Sequence, residues 1–271
     1  MTPRTRWALA IALLAAGAPA LWHDTAEAPA SVDAVEPGPS TIERGIAYLV
    51  SQRARVPQHS LFVPAHIGRR YGYSELATFA EAFDPQSAAF ARQPVVNRMM
   101  AYAYDRAARV EALELEGQHP IARLLYPALH CDYLALPDDY GARIGGAAEA
   151  GGYDASHAAL ALGFLEERGC AVPRAGRLRA TVIGAMDREL RAAQAADDLS
   201  MELCAMLAYA GAHEWIETRW SAVIGAAQRE DGGWGYADAT ESDWHHTTVA
   251  LLCLLALELP DRAAAPMLPG T

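Results

Sequence analysis

Aspartate and histidine recur in this chain in a pattern that could bind a metal ion. Asp154 is followed three residues later by His157, and Asp243 is followed three residues later by His246. Each histidine therefore lies near a carboxylate, and the two pairs occupy matched positions of a repeated segment. Imidazole and carboxylate together are a common ligand set for zinc and iron. We predict that these four residues hold a divalent metal ion, with zinc as the first choice and iron or copper after it.

The same residues also have a purely structural explanation. Asp154, Asp198 and Asp243 each stand where an apolar helix is predicted to begin. An aspartate there caps the helix, because its carboxylate accepts hydrogen bonds from free backbone N–H groups. A histidine on an apolar helix is commonly a hydrogen-bonded core residue. Capping and packing are therefore the alternative to a metal site.

Three further residues are candidates for catalysis. His245 lies next to His246, and Asp197 lies next to Asp198. Paired or buried carboxylates have a raised pKa, which suits them to act as general acids. We therefore take Asp197, Asp198 and His245 as the candidate catalytic residues beside the metal.

An internal helical repeat explains why these residues recur. The segment 181–189 (TVIGAMDRE) returns at 222–230 (AVIGAAQRE), and a second series of apolar segments opens at Asp154, Asp198 and Asp243. The repeats are 41 to 45 residues apart, and no stretch alternates with the period of a strand. Each period holds one outer and one inner helix, and stacked hairpins bury surface that one hairpin cannot. We predict an all-α fold of about five helical hairpins. Its inner helices should begin near residues 72, 97, 154, 198 and 243.

The segment after the last outer repeat resembles a known family. Gln228–Gly235 reads QREDGGWG, which contains Q-x3-G-x-W, the core of the QW motif of squalene–hopene cyclases. Asp243–Thr247 reads DWHHT and is similar to the D-x-x-H-T stretch of protein prenyltransferase β-subunits, in which the histidine binds zinc. The chain therefore resembles the α/α-toroid superfamily, well over residues 150–258 and less over 41–150.

This resemblance implies a single-domain α/α toroid, closed or incomplete, in which the inner helices begin around the mouth of one central cavity. It places His246 at the zinc-binding histidine of the prenyltransferases and Asp154 at the aspartate of their D-x-C ligand pair. Ser156 stands where those proteins have the cysteine, so His157 would supply the replacement ligand. The central cavity would take a small apolar or peptide-like substrate.

The cyclase side of the resemblance gives Asp197 a different role. Asp197 and Asp198 resemble the end of the D-x-D-D motif with which hopene cyclases protonate an alkene, although Ala195 replaces the first aspartate. Asp197 would then be the general acid of a terpenoid-cyclase-like enzyme. The inner helices carry Ala, Leu, Met and Cys in place of the aromatic residues that stabilise carbocations. Cyclase activity is therefore an alternative to the metal-assisted site.

The N-terminus has the pattern of a secretory signal. Arg4 and Arg6 precede an apolar run at 7–18, and A-x-A cleavage motifs follow that run. We expect a periplasmic or secreted protein without a membrane span after cleavage, and the alternative is an anchor formed by an uncleaved N-terminal segment. The predicted organisation is a signal peptide at 1–28, a linker at 29–40, the α/α-toroid domain at 41–259 and a flexible tail at 260–271.

An oxidising compartment permits disulfides among the four cysteines. Cys131 lies in a His-Cys-Asp cluster and is either a further metal ligand or the partner of Cys170. Cys204 and Cys253 lie within inner helices and are predicted to be small core residues.

Composition limits the function classes. Lys and Arg number 22 against 33 Asp and Glu, and the resulting net charge of −11 argues against nucleic-acid binding. An apolar content of 52% supports a sizeable core. We predict an exported enzyme with a metal-assisted site. The alternative from another class is a non-catalytic toroid module that binds a ligand or a protein partner in its cavity.

Overall fold

The computed structural model describes residues 39–237, 239–262 and 265–269, and the regular structure among them is helical. Twelve α-helices and four short 3-10 helices follow one another along these residues. The all-α prediction is confirmed. The predicted signal peptide and most of the predicted linker lie outside the described residues.

The α-helices are numbered in chain order. Their bounds are α1 Pro39–Ser51, α2 Phe62–Tyr71, α3 Ser74–Ala77, α4 Ala88–Ala91, α5 Pro94–Tyr104, α6 Pro120–His130, α7 Tyr140–Ala150, α8 Gly152–Glu167, α9 Ala175–Ala192, α10 Asp198–Tyr209, α11 Arg219–Ala226 and α12 Trp244–Glu258. The 3-10 helices are Arg53–Arg55, Gln58–Ser60, Thr78–Ala82 and His213–Trp215. In this described part of the chain, no helix is both long enough and apolar enough to cross a membrane.

Three helices form an inner layer in the C-terminal half. α8, α10 and α12 begin at Gly152, Asp198 and Trp244, where the repeat predicts inner helices, and α10 contacts both α8 and α12. They are buried on nearly every side, because small and aliphatic residues fill most of their length. α9, which is half exposed, packs on α8 and α10, and α11 packs on α12. These helices form the two layers that the repeat predicts.

The helix contacts run in a cyclic order. α6 packs on α8, α5 packs on α6, and α5 also contacts the 3-10 helix Gln58–Ser60, which packs on α2. α2 in turn packs on α12, so the order of contacts returns to the inner helices. Residues from every element of this cycle line one shared cavity. The cyclic order is what a toroid requires, and membership of the toroid superfamily stays a prediction.

The N-terminal half departs from the repeat. α5 covers the inner helix expected near residue 97, but the helix that begins near residue 72 is α3, which starts at Ser74 and has only four residues. Neither α3 nor the 3-10 helix Thr78–Ala82 that follows it lines the shared cavity. Gly72 has a φ of 87° and ends α2, because glycine adopts this left-handed conformation at low cost. α6 packs beside α8, and the sequence pattern did not predict this neighbour.

Both pairs of cysteines form disulfides. Cys131–Cys170 joins the end of α6 to the loop after α8, which is one of the two alternatives predicted for Cys131. Cys204 and Cys253 are buried within α10 and α12, as predicted, but they are bonded to each other. The second disulfide therefore ties together the two helices that carry most of the candidate site.

The C-terminal segment lies against the helical body. We predicted a flexible tail at 260–271, yet Met267 and Leu268 within it are fully buried. Hydrogen bonds from their backbone N–H groups to the Glu167 carboxylate hold them at the end of α8.

Candidate functional site

The first two turns of α10 and the first turn of α12 bring two carboxylates and two imidazoles together. Asp198 and Glu202 lie one turn apart on α10, and His245 and His246 lie at the start of α12. Oδ1 of Asp198 is 3.2 Å from Nε2 of His246 and 3.4 Å from Nε2 of His245. Oε2 of Glu202 is 3.5 Å from Nε2 of His245. We call these four residues the His–carboxylate cluster.

The four facing atoms of the His–carboxylate cluster are buried and lack a hydrogen-bond partner. Among the described residues, eleven buried side-chain nitrogen and oxygen atoms lack one, and four of the eleven meet at this place. Buried polar atoms are nearly always hydrogen-bonded, since leaving one unpaired costs about 1–3 kcal/mol. The four atoms here meet instead as ion pairs at 3.2, 3.4 and 3.5 Å, so charge pairing holds the cluster without a direct hydrogen bond among them.

Three pair distances in the cluster are close to those between neighbouring ligand atoms of a zinc ion. Zinc bonds of about 2.0–2.1 Å at tetrahedral angles place neighbouring ligand atoms about 3.3–3.4 Å apart. The three spacings in the cluster are 3.2, 3.4 and 3.5 Å. As the side chains stand, no three histidine, cysteine, aspartate or glutamate residues in the described ranges form a group that could hold a metal ion. Metal binding here therefore requires the four side chains to adjust around the ion.

Each carboxylate of the cluster is held by a hydroxyl group through its other oxygen. The Tyr153 hydroxyl donates to Oδ2 of Asp198 over 2.6 Å, and the Ser156 hydroxyl donates to Oε1 of Glu202. Both hydroxyls come from the first turn and a half of α8. Oδ1 of Asp198 and Oε2 of Glu202 are thereby left directed at the histidines, just as hydrogen bonds to the far side of a ligand fix its orientation in metal sites.

Asp243 orients His246 and caps its helix at the same time. One Asp243 oxygen accepts the backbone N–H groups of His245 and His246 at 2.7 and 3.2 Å. The same oxygen lies 3.1 Å from Nδ1 of His246. Because a carboxylate only accepts, Nδ1 carries a proton, and Nε2 of the same ring points toward Asp198. Asp243, predicted as a ligand, is placed as a positioning residue.

The remaining predicted residues lie at different distances from the cluster. His157 is buried beside it, with Nδ1 bonded to the Tyr153 carbonyl and 3.5 Å from Oε1 of Glu202. Asp197 caps α10 by accepting the N–H of Ser200 at 2.8 Å, and this side chain is engaged in a capping box. Asp154 lines a separate pocket with Pro120 and Arg123, and the structure does not bring it to the cluster.

Electrostatics favour a charged pair in the metal-free cluster. Burial by itself lowers the pKa of His245, but the Asp198 and Glu202 carboxylates outweigh it and raise that pKa to about 10. Burial raises the pKa of Asp198, and His245, His246 and the Tyr153 hydroxyl outweigh it and lower that pKa to about 2. Without metal, His245 is therefore protonated at neutral pH, and a metal would have to displace that proton.

The His–carboxylate cluster forms part of the wall of an apolar cavity. The cavity has a volume of about 120 Å³, and Glu202 and His245 reach it, together with Ser156 and His157. The rest of its lining is mainly aliphatic and aromatic, with side chains from α2, α5, α6, α8, α10 and α12. An apolar cavity of about 150 Å³ is large enough to bind benzene. A small apolar molecule with one polar end matches this combination of surfaces.

Glu202 is the cluster residue that the sequence pattern missed. The repeat pattern marks aspartate and histidine at matched positions, and Glu202 has no counterpart at the other repeats. It was nevertheless detectable, because it is a single charged residue inside the apolar run LSMELCAMLAYAG. Its side chain is 4% exposed, and charged residues are rarely buried to that extent unless they are paired or bind a metal.

Comparisons of the chain with protein-family models, with curated proteins and with solved structures find no match.

Proposed function

We propose that this protein is an exported metal-dependent enzyme, in which Asp198, His245 and His246 bind a divalent ion beside Glu202. The observation that carries the proposal is the meeting of two buried carboxylate oxygens and two buried imidazole nitrogens, whose three close pairs are 3.2, 3.4 and 3.5 Å apart. The two carboxylates balance the charge of a divalent cation, and the nitrogen and oxygen donors suit zinc first and iron after it. This ligand set replaces the predicted one, since Asp243 orients His246 and Asp154 lies elsewhere.

Glu202 is proposed to face the reacting substrate. It lies within 4 Å of His245 and also lines the cavity, whereas Asp198 and His246 do not line it. A catalytic metal site keeps one position open for water or substrate, and that position would lie on the cavity side. A bound metal would supply Lewis-acid activation of a water molecule or a substrate oxygen. Glu202 is then placed to complete the ligand set or to accept a proton.

Export of the protein is supported by two kinds of observation. The first residues have the pattern of a secretory signal. Both described disulfides join elements that are distant along the chain, and such bonds persist in oxidising compartments. A periplasmic or secreted location is therefore part of the proposal.

Metal analysis of the purified protein tests the proposal. We expect about one zinc or iron per chain, removal by a chelator, and a higher melting temperature when zinc is added back. Asp198→Asn should lose the metal, because it neutralises the carboxylate that contacts both histidines. Asp197→Asn is the matched control, since asparagine caps a helix as well as aspartate does and the residue lies outside the cluster. A protein that binds none of zinc, iron or copper would overturn the proposal.

The alternative is a non-catalytic module that binds its ligand in the same cavity. The mainly apolar lining supports ligand binding equally well. Turnover separates the two functions: zinc-loaded protein should hydrolyse short alkyl esters, and the Asp198→Asn variant should not. Binding of the esters without release of the acid would favour the non-catalytic module.

A further inference from the structure

The C-terminal segment contributes a residue to the apolar cavity. Met267 is fully buried and lines that cavity, whereas its neighbour Leu268 is equally buried but is not part of the lining. Phe62, Val63 and Leu252 also line the cavity. A residue from the last few positions of the chain thus forms part of the space in which we propose that the substrate binds.

The segment is fixed to two helices by several hydrogen bonds. The Glu167 carboxylate accepts the N–H groups of Met267 at 2.7 Å and of Leu268 at 2.9 Å. The Arg69 guanidinium donates to the carbonyl groups of Pro266 and Met267 at 3.1 and 2.9 Å. His66 Nδ1 lies 3.2 Å from the Pro266 carbonyl, to which it donates. The Met267 side chain is therefore held in one place relative to the cavity.

The anchoring points lie at the opposite end of α8 from the His–carboxylate cluster. Ser156, which holds Glu202, lies in the second turn of α8, and Glu167 is its last residue. At a rise of 1.5 Å per residue, the two are separated by about 16 Å along the helix axis. On α12, the residues that line the cavity run from His245 near the cluster to Leu252, a distance of about 10 Å along the helix axis. The polar cluster and the C-terminal segment therefore bound the cavity from opposite ends.

We propose that Met267 is a specificity-determining residue, which closes the far end of the cavity and limits the length of the alkyl body of the ligand. The ligand is a small molecule with a polar end at the cluster and an unbranched apolar chain directed toward Met267. This inference rests on the proposed function, because it takes the cavity as the substrate site. It does not require the metal, since the apolar end of the cavity lies away from the cluster.

Binding of linear 1-alkanols of increasing chain length tests the role of Met267. Titration calorimetry on the full-length protein should show an affinity that rises with each added methylene up to a limiting length. Met267→Ala removes the side chain beyond Cβ, so the limit should move to a longer alcohol. The first alcohol beyond the wild-type limit should bind about tenfold more tightly to the variant, as expected for an added methylene in an apolar pocket.

Leu268→Ala is the matched control, because it truncates a buried neighbour that does not line the cavity. It should lower the melting temperature without moving the limiting length, and Met267→Leu, which conserves volume, should leave the limit in place. An unchanged limit in Met267→Ala, an equal change in Leu268→Ala, or no binding of alkanols by the wild-type protein would each overturn the proposal. The titrations are repeated after chelator treatment. A length limit that depends on Met267 in a protein that binds no metal would refute the metal site alone.

Discussion

At the scale of single residues, hydrogen bonds decide which oxygen of the Asp198 and Glu202 carboxylates faces the histidines. Tyr153 and Ser156 occupy one oxygen of Asp198 and of Glu202, and the free oxygens face the histidines. A hydroxyl donor in each place fixes the carboxylate without adding a charge. The orientation of the two carboxylates therefore depends on α8, a helix that contributes no residue to the cluster itself.

Asp243→Ser separates the positioning role of Asp243 from its capping role. Serine is as good a helix cap as aspartate, so the stability of α12 should change by less than about 1 kcal/mol. Serine lacks the carboxylate that holds Nδ1 of His246, so zinc affinity should fall by about 10–100-fold. A competition titration against a chromogenic chelator measures the affinity. Asp197→Ser, at the cap of α10, is the control, and an equal loss of affinity in both variants would contradict the role of Asp243.

At the scale of elements, the site depends on the register between α10 and α12. Both carboxylates of the cluster lie on α10, both imidazoles lie on α12, and the Cys204–Cys253 disulfide joins the two helices. The cross-link lies near the middle of each helix. It therefore limits how far the helices can slide or separate at the end that carries the cluster.

Removing each disulfide in turn tests this register. The Cys131–Cys170 and Cys204–Cys253 bonds span 39 and 49 residues, so chain entropy predicts nearly equal costs of about 4 kcal/mol. Replacing either pair by alanine should lower the denaturation midpoint to a similar extent. Only the Cys204→Ala/Cys253→Ala variant should also weaken zinc binding. Equal zinc affinity in the two variants would show that the helix register does not depend on the disulfide.

At the scale of the whole molecule, the repeat predicted the inner helices but not the full set of neighbours around the site. The beginnings of α8, α10 and α12 follow from local composition and from the aspartates at the helix starts. Which carboxylate reaches the histidines depends on how each helix is rotated in the assembled body, and no local spacing encodes that rotation. Asp154 therefore matched the pattern without reaching the cluster, while Glu202 reached it without matching.

The C-terminal segment was unpredictable for a similar reason. Its short sequence has no helical pattern and contains three prolines, which locally indicates a loose tail. Its partners Glu167 and Arg69 lie about 100 and 200 residues earlier in the chain. Burial of Met267 thus depends on contacts that exist only after the helices have assembled.

The fold shifts the pKa values of its buried histidines in two opposite directions. Burial lowers the pKa values of His59, His66 and His130 to about 4. The carboxylates of the cluster raise the pKa of His245 to about 10 in the absence of metal. Between about pH 4 and pH 6.5, these three histidines are therefore neutral in the folded protein but protonated in the unfolded chain. Between about pH 6.5 and pH 10, His245 is protonated in the folded protein but neutral in the unfolded chain.

We therefore expect the metal-free protein to be most stable near neutral pH. As the pH falls from about 6.5 to about 4, the unfolded chain takes up protons that the three buried histidines exclude, so each should lower the free energy of unfolding by up to about 1.4 kcal/mol per pH unit. As the pH rises from about 6.5 to about 10, the stabilisation by protonated His245 is lost. Urea titrations across this range measure both arms of the profile. His59→Gln should flatten the acid arm, while the exposed His213→Gln should leave it unchanged. An acid arm of equal slope in both variants would show that burial of His59 does not control the acid sensitivity.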